Sequence, residues 1–172
     1  IFRKRTQGVG VLKTKDAINL GATGPVLRGS GVKIDTRVTD PYTIYDRFDW
    51  DIVTAKKGDC FSRYSVWINE MKQSINIVRQ ALEGLPEGEI KADVPKVLKP
   101  EAGEAYSRIE SPRGELAVHV ISDGSPRPYR LKIRSPAFCN LSLLPHISQG
   151  GLIADLIAAL GSIDPVFGEV DR

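Results

Sequence analysis

The side chains best suited to acid–base, nucleophilic or metal chemistry here are two histidines, His119 and His146, and two cysteines, Cys60 and Cys139. Their spacing assembles none of these chemistries. The histidines lie far apart, neither has a cysteine at ligand spacing, and the cysteines form no C-x-x-C pair, so no zinc site is expected. The cysteines read as buried or half-buried free thiols, with a disulfide left open. No G-x-S-x-G elbow marks a nucleophilic serine. Asp40, Asp46, Asp49 and Asp51 crowd one stretch without EF-hand spacing and read as a solvated loop with a short helix. Gly29-Ser30-Gly31 is followed by Ile34 rather than a third glycine, and no P-loop lysine–threonine pair is present. The glycine-rich opening, to about Arg37, therefore reads as tight turns rather than a phosphate cradle.

The elements that would position these residues are legible in outline. Thr14 is placed to cap a short helix over Lys15 to Leu20, stopped by Gly21. Tyr64, Ile68, Met71, Ile75, Val78 and Leu82 step by four and three residues, which predicts a helix from about Arg63 to Glu83 with one apolar stripe. Met71 on that stripe is expected to fill core. Gly84 and Pro86 end the helix. Residues 86–104 hold prolines, glycines and charges and read as a linker without a core of its own. Glu115 to Ser122 predicts a strand, Asp123-Gly124 a turn, and Tyr129 to Arg134 a half-buried return strand whose outer face carries Arg130, Lys132 and Arg134. That cationic face is either solvated or turned toward an acidic partner subunit. A second helix is expected within Leu141 to Leu160, with Leu152, Ile153, Leu156, Ile157 and Leu160 as its apolar face and Gly161 as its stop. Helices and a hairpin in separate runs make the fold class α+β.

The chain has 172 residues, 41% of them hydrophobic, enough for one domain with a real core. A net charge of +3 and an aromatic content of 7%, not interleaved with a basic patch, give no case for nucleic acid. The longest apolar run, Leu152 to Leu160, is broken by Asp155 and is too short to span a membrane. No signal peptide is read, and a first residue that is Ile1 rather than methionine suggests a piece of a longer protein. Spacing alone supports nothing beyond a soluble α+β domain.

A resemblance carries further. Gly21-Ala22-Thr23-Gly24-Pro25-Val26-Leu27-Arg28-Gly29-Ser30-Gly31 is similar to a signature of the D-type subunit of the NADH–quinone oxidoreductases, the complex I family. So are Pro41-Tyr42 with Tyr45-Asp46, Gly58-Asp59-Cys60, and Glu70-Met71 with Gln73-Ser74. Glu110-Ser111-Pro112-Arg113-Gly114-Glu115, Ser122-Asp123-Gly124-Ser125, and Pro128-Tyr129-Arg130 with Lys132-Ile133-Arg134 follow in order. The run from Gly161 to Arg172 closes the series. The sequence thus resembles the C-terminal part of that protein, with a helical part (1–85), a linker (86–104), and a β-hairpin, helix and tail (105–172). The family shares its fold with the large subunit of nickel–iron hydrogenases, whose tail holds the metal through two cysteines. Val166 and Glu169 stand at those positions here, and a valine offers a soft metal no ligand.

The resemblance implies a subunit that lines a quinone chamber facing the B-type iron–sulfur subunit, and that also meets the C-type subunit and the H-type subunit of the membrane arm. Electrons pass from NADH through flavin (FMN) and iron–sulfur clusters to quinone, coupled to proton translocation. The chain itself is expected to bind no cofactor and no metal, to carry no catalytic acid, and to be inactive alone, because the headgroup-contacting histidine and tyrosine belong to the family's other half. The tail residues Asp164, Val166 and Arg172 match positions that line or support the chamber. Val166 is expected to give an apolar wall, and Asp164 and Arg172 to pair. Asn140 stands where many relatives carry histidine, so that histidine's role is not carried over. The implied location is peripheral, on the cytoplasmic face of the cell membrane. The alternative is a subunit of the same fold in a related membrane-bound complex fed by reduced deazaflavin or ferredoxin.

Overall fold

The computed structural model describes residues 1–171. Short helices open the chain: α1 (Phe2–Thr6), α2 (Thr14–Asn19), α3 (Gly24–Gly29) and α4 (Thr36–Thr39), then a 3-10 turn over Tyr45–Arg47. The glycine-rich opening is thus more helical than its composition suggests. Pro25 supplies the preset φ of a first helical turn, and α3 follows from it. Thr14 is the first residue of α2 rather than its cap, and its hydroxyl donates to the Ser30 carbonyl at 2.7 Å.

Helix α5 (Cys60–Glu83) is the longest element, 24 residues and about 36 Å. It starts three residues before the expected Arg63 because Asp59 caps it, accepting from the Ser62 amide at 2.7 Å. The expectation that the stripe is core is overturned. Tyr64, Met71, Ile75, Val78 and Leu82 are exposed, Met71 by 53%, and the buried face is instead Cys60, Ser62, Arg63, Val66 and Ile77. Periodicity identifies an apolar face but not what covers it. Here α3 packs on the other flank of α5, and the later helix α8 (Ile153–Ile163) packs near its start.

Residues 85–102 carry no helix or strand and lie exposed. Three antiparallel strands follow in the order β1 (Gly103–Ser111), β2 (Gly114–Ser122) and β3 (Arg130–Arg134). The hairpin is therefore a three-stranded meander. β1 takes in the last two residues of the expected linker, and its apolar face is weak in sequence because Ala105, Ser107 and Ile109 alternate with Glu104, Tyr106, Arg108 and Glu110. Pairing Tyr106 with His119 and His119 with Lys132 sets charged residues on one face and Ile109, Leu116, Val118, Val120, Leu131 and Ile133 on the other. β3 is less buried than expected, with Leu131 exposed by 51%.

The single helix expected over 141–160 is two, α7 (Leu144–Ile147) and α8, preceded by α6 (Pro136–Leu141), which ends where it was expected to start, and followed by a last turn α9 (Phe167–Val170). Pro145 and the Gly150-Gly151 pair make the breaks. Gly161 lies inside α8. Its expected apolar face points outward, with Leu152, Ile153, Leu156 and Ile157 exposed and Ala159 and Ile163 buried. The core gathers Leu12, Ala17, Val26, Leu27, Cys60, Leu143, Ile147, Ala159 and Ile163, around the first turns of α5.

Candidate functional site

Helices α1, α5 and α8 flank an open cavity of about 560 Å³. Phe2, Tyr64, Trp67, Ile68, Met71 and Ala158 make most of its wall, and Arg5, Ser162 and Asp164 supply charge and hydrogen-bonding capacity. Phe2 meets Tyr64 edge-on at 4.8 Å between centroids. An apolar, aromatic hollow with a few polar groups is the usual form of a site for a ring-bearing ligand. The first half of the α5 stripe, Tyr64, Ile68 and Met71, which fails to become core, becomes part of this wall.

Asp164 ends α8 in the left-handed conformation, φ 53°, and so turns the chain back toward the sheet. Its carboxylate pairs with Arg113 at 2.7 Å, and the Arg113 Nε donates to its carbonyl at 3.4 Å. The Arg113 guanidinium lies 5.8 Å over the Trp67 ring. The cavity wall, the β1–β2 turn and the tail are thereby joined through one arginine. Asn140, fully buried, holds that turn in place: its amide nitrogen donates to the carbonyls of Thr23 (3.2 Å) and Arg113 (3.1 Å), and its oxygen accepts from the Thr23 amide (3.0 Å).

Of the three tail residues singled out in the sequence, Asp164 reaches the cavity. Val166 stands at the N-cap of α9, 37% exposed and outside the cavity lining. Arg172 lies outside the described residues, so the expected partner of Asp164 does too; within them Asp164 takes Arg113. Glu169 accepts from the Ala137 amide at 3.1 Å and the Ser135 hydroxyl at 3.4 Å, and so caps α6. Cys60 and Cys139 are free thiols, buried and half-buried. His119 lies 3.3 Å from Glu104 and His146 3.6 Å from Asp16.

Two buried arginines were not singled out by sequence. Arg63 donates to the Gly58 carbonyl (2.7 Å), the Gly10 carbonyl (2.9 Å) and the Ser162 hydroxyl (2.9 Å), and its Nη2 lies 3.4 Å from the Cys60 sulfur. Burial pulls its pKa below the usual guanidinium value. Arg28 pairs with Asp35 (3.3 Å), Glu70 (2.5 Å) and Glu110 (2.7 Å). A single arginine in an otherwise apolar six-residue helix was the signal available for it.

The chain matches the family model for the respiratory-chain NADH dehydrogenase 49 Kd subunit over residues 1–102 and 96–172. It is 58% identical over 168 residues to the D-type subunit of an NADH-quinone oxidoreductase of Dehalococcoides mccartyi, covering 98% of this chain and 46% of that protein. Against the D-type subunit of Desulforamulus reducens it is 48% identical over 171 residues, covering 99% and 47%. Against the second D-type subunit of Rhizobium meliloti it is 44% identical over 198 residues, covering 100% and 49%. The chain spans about half the length of the curated relatives it matches.

Proposed function

The chain belongs to the respiratory-chain NADH dehydrogenase 49 Kd subunit family, and from that membership we propose that it forms one wall of the quinone chamber of a proton-translocating NADH–quinone oxidoreductase. The observation that carries this reading is Asp164, held by Arg113, on the rim of an apolar cavity of about 560 Å³. A quinone is a flat apolar ring with two carbonyl oxygens. Tyr64, Trp67, Ile68 and Met71 offer such a ring aromatic and thioether contact. Asp164 and Ser162 offer polar contact at the edge.

Reduction adds two electrons and two protons to the quinone. An iron–sulfur cluster of a neighbouring B-type subunit would supply the electrons, and the residues of this chain would bind and orient the ring. NADH and flavin chemistry belong to other subunits. Among the described residues no helix is long and apolar enough to cross a membrane. In this reading the chain is peripheral, on the cytoplasmic face, and meets the membrane through the H-type subunit of the membrane arm, with the C-type subunit as a further neighbour.

The test is quinone reduction by the intact complex carrying Asp164→Ala or Val166→Met, with assembly followed on native gels. Asp164→Ala frees the Arg113 guanidinium, and we expect about a tenfold fall in quinone reduction, ~1.4 kcal/mol of barrier, in an assembled complex. Val166→Met is expected to change inhibitor sensitivity, which would extend the chamber past the end of α8. Assembled complexes with unchanged rates and inhibitor response would remove the tail from the chamber.

A further inference from the structure

On the flank of α5 away from the apolar cavity lies a second, polar cavity of about 370 Å³, lined in part by Arg28, Arg37, Glu70, Glu110 and Ser111. Trp67 and Met71 line both cavities and separate them. Three carboxylates meet two guanidinium groups here. Arg28 pairs with Asp35, Glu70 and Glu110, and Arg37 pairs with Asp35 at 2.7 Å. One negative charge is left over in a poorly hydrated place, where it is costly.

The three carboxylates are not equivalent. Asp35 accepts from Arg37 through its backbone amide (3.0 Å), its Nε (2.9 Å) and its Nη2 (2.7 Å). Glu110 accepts from Arg28 on one oxygen (2.7 Å) and from the Thr36 amide on the other (3.1 Å). Among the described residues Glu70 accepts from Arg28 Nε alone, on one oxygen. In the same cavity the Ser111 hydroxyl oxygen is buried and, among the described residues, has no hydrogen-bond partner. A carboxyl with a free oxygen, in a cavity that also holds an orphaned hydroxyl, is the member of this cluster best placed to hold a proton.

We propose that Glu70 is a proton-holding residue: its carboxyl is protonated in the resting protein and releases that proton when quinone is reduced beyond the Trp67–Met71 wall. The inference rests on the quinone reading above. Quinone takes two electrons, which an iron–sulfur cluster of a neighbouring subunit would deliver one at a time, and two protons to give quinol, the second proton coming directly from solvent. One proton leaves the Glu70 O–H, which becomes a carboxylate, and is then replaced from solvent through the polar cavity. Burial raises the Glu70 carboxyl above the ordinary range, and Arg28 offsets this only in part. The charged and titratable groups facing it are Arg28 from α3, Asp35 and Arg37 at the start of α4, Tyr45 from the 3-10 turn and Glu110 from β1. Its neighbours on α5, Trp67, Met71 and Ser74, are neutral.

The test uses the intact complex carrying Glu70→Gln or Glu70→Asp, with assembly verified. Infrared difference spectra at neutral pH should contain the deuterium-sensitive carbonyl band of a protonated carboxyl, absent in Glu70→Gln and retained, displaced, in Glu70→Asp. Quinone reduction should fall about tenfold in Glu70→Gln, and the decline of rate with rising pH should disappear with it; Glu70→Asp should restore both. A band that survives in Glu70→Gln overturns the proposal. So does a lost band with wild-type rates and pH profile. The infrared arm needs no quinone, so a chamber located elsewhere would leave the band's loss intact and would appear instead in the Asp164→Ala kinetics.

Discussion

Asp59 shows how one residue can fasten two segments. Its carboxylate caps α5 through the Ser62 amide (2.7 Å) and accepts from the Gly8 amide (2.9 Å), tying the N-terminal loop to the longest helix. Burial pushes this carboxyl up, but the hydrogen bonds from Gly8 and Ser62 outweigh it and hold the pKa below the ordinary value of 3.8. The folded pKa lies below the unfolded one, so the stabilisation is present above the ordinary carboxylate range and is lost as pH falls through the folded value. Asp59→Ala should cost about 1–2 kcal/mol in urea denaturation at neutral pH. Asp59→Asn should cost less and flatten the acid limb of a stability–pH series; an unchanged limb would assign that limb to other carboxylates. The sequence showed Asp59 only as part of a family-like block, although an aspartate just before a long apolar-periodic run is a cap signal. Asp164 was legible through its place in a family-like tail and not through spacing. The Arg28 cluster was not legible, because Glu70 and Glu110 stand 42 and 82 residues from Arg28 and only the folded chain brings them together.

At the scale of elements, periodicity predicted where helix α5 lies and misjudged which side of it is covered. Its buried side is narrow because it is filled by Arg63 and small or branched residues packed on α3 and α8, while the broad stripe faces the cavity and solvent. The break of 141–160 into α7 and α8 was written in Pro145 and Gly150-Gly151 but was outweighed by the apolar content of the region. The junction before α5 is tighter than any propensity suggests. Gly58 has φ +67°, donates to the Gly29 carbonyl (3.0 Å), and accepts from the Leu12 amide (2.9 Å) and from Arg63. A Cβ at this position would fall on the Leu12 carbonyl oxygen. Gly21 has φ +73° with nothing within 4 Å of its would-be Cβ. Gly21→Ala should therefore cost about 1 kcal/mol, from backbone conformation alone. Gly58→Ala should cost more than ~2 kcal/mol, because the backbone crossing must also open. Thermal denaturation of the two variants checks the difference, and equal losses would mean that the crossing relaxes freely.

The whole molecule exposes 11774 Å², whereas a compact monomer of this length exposes about 8,300 Å². The extended stretch 85–102 is exposed throughout, and three surfaces carry exposed apolar side chains. One is the α5 stripe, whose steps of four and three residues keep a heptad period that suits a neighbouring helix. The others are the outward side of α8 and the sheet face bearing Leu131 and Ile109. A standard protein–protein interface removes about 800 Å² from each partner, so the excess is enough for more than one contact. Such surfaces mark places that water does not cover in an assembly. Ile75 and Val78, 62% and 57% exposed, lie on the stripe beyond the cavity lining. Ile75→Lys with Val78→Glu should leave the melting of the purified chain within about 0.5 kcal/mol, because both side chains already face solvent. The same pair should sharply lower dye binding to apolar surface and the recovery of the protein in the assembled oxidoreductase. If assembly proceeds at the wild-type level, the stripe faces water in the complex as well, and the contacts that complete this chain lie on α8 and the sheet instead.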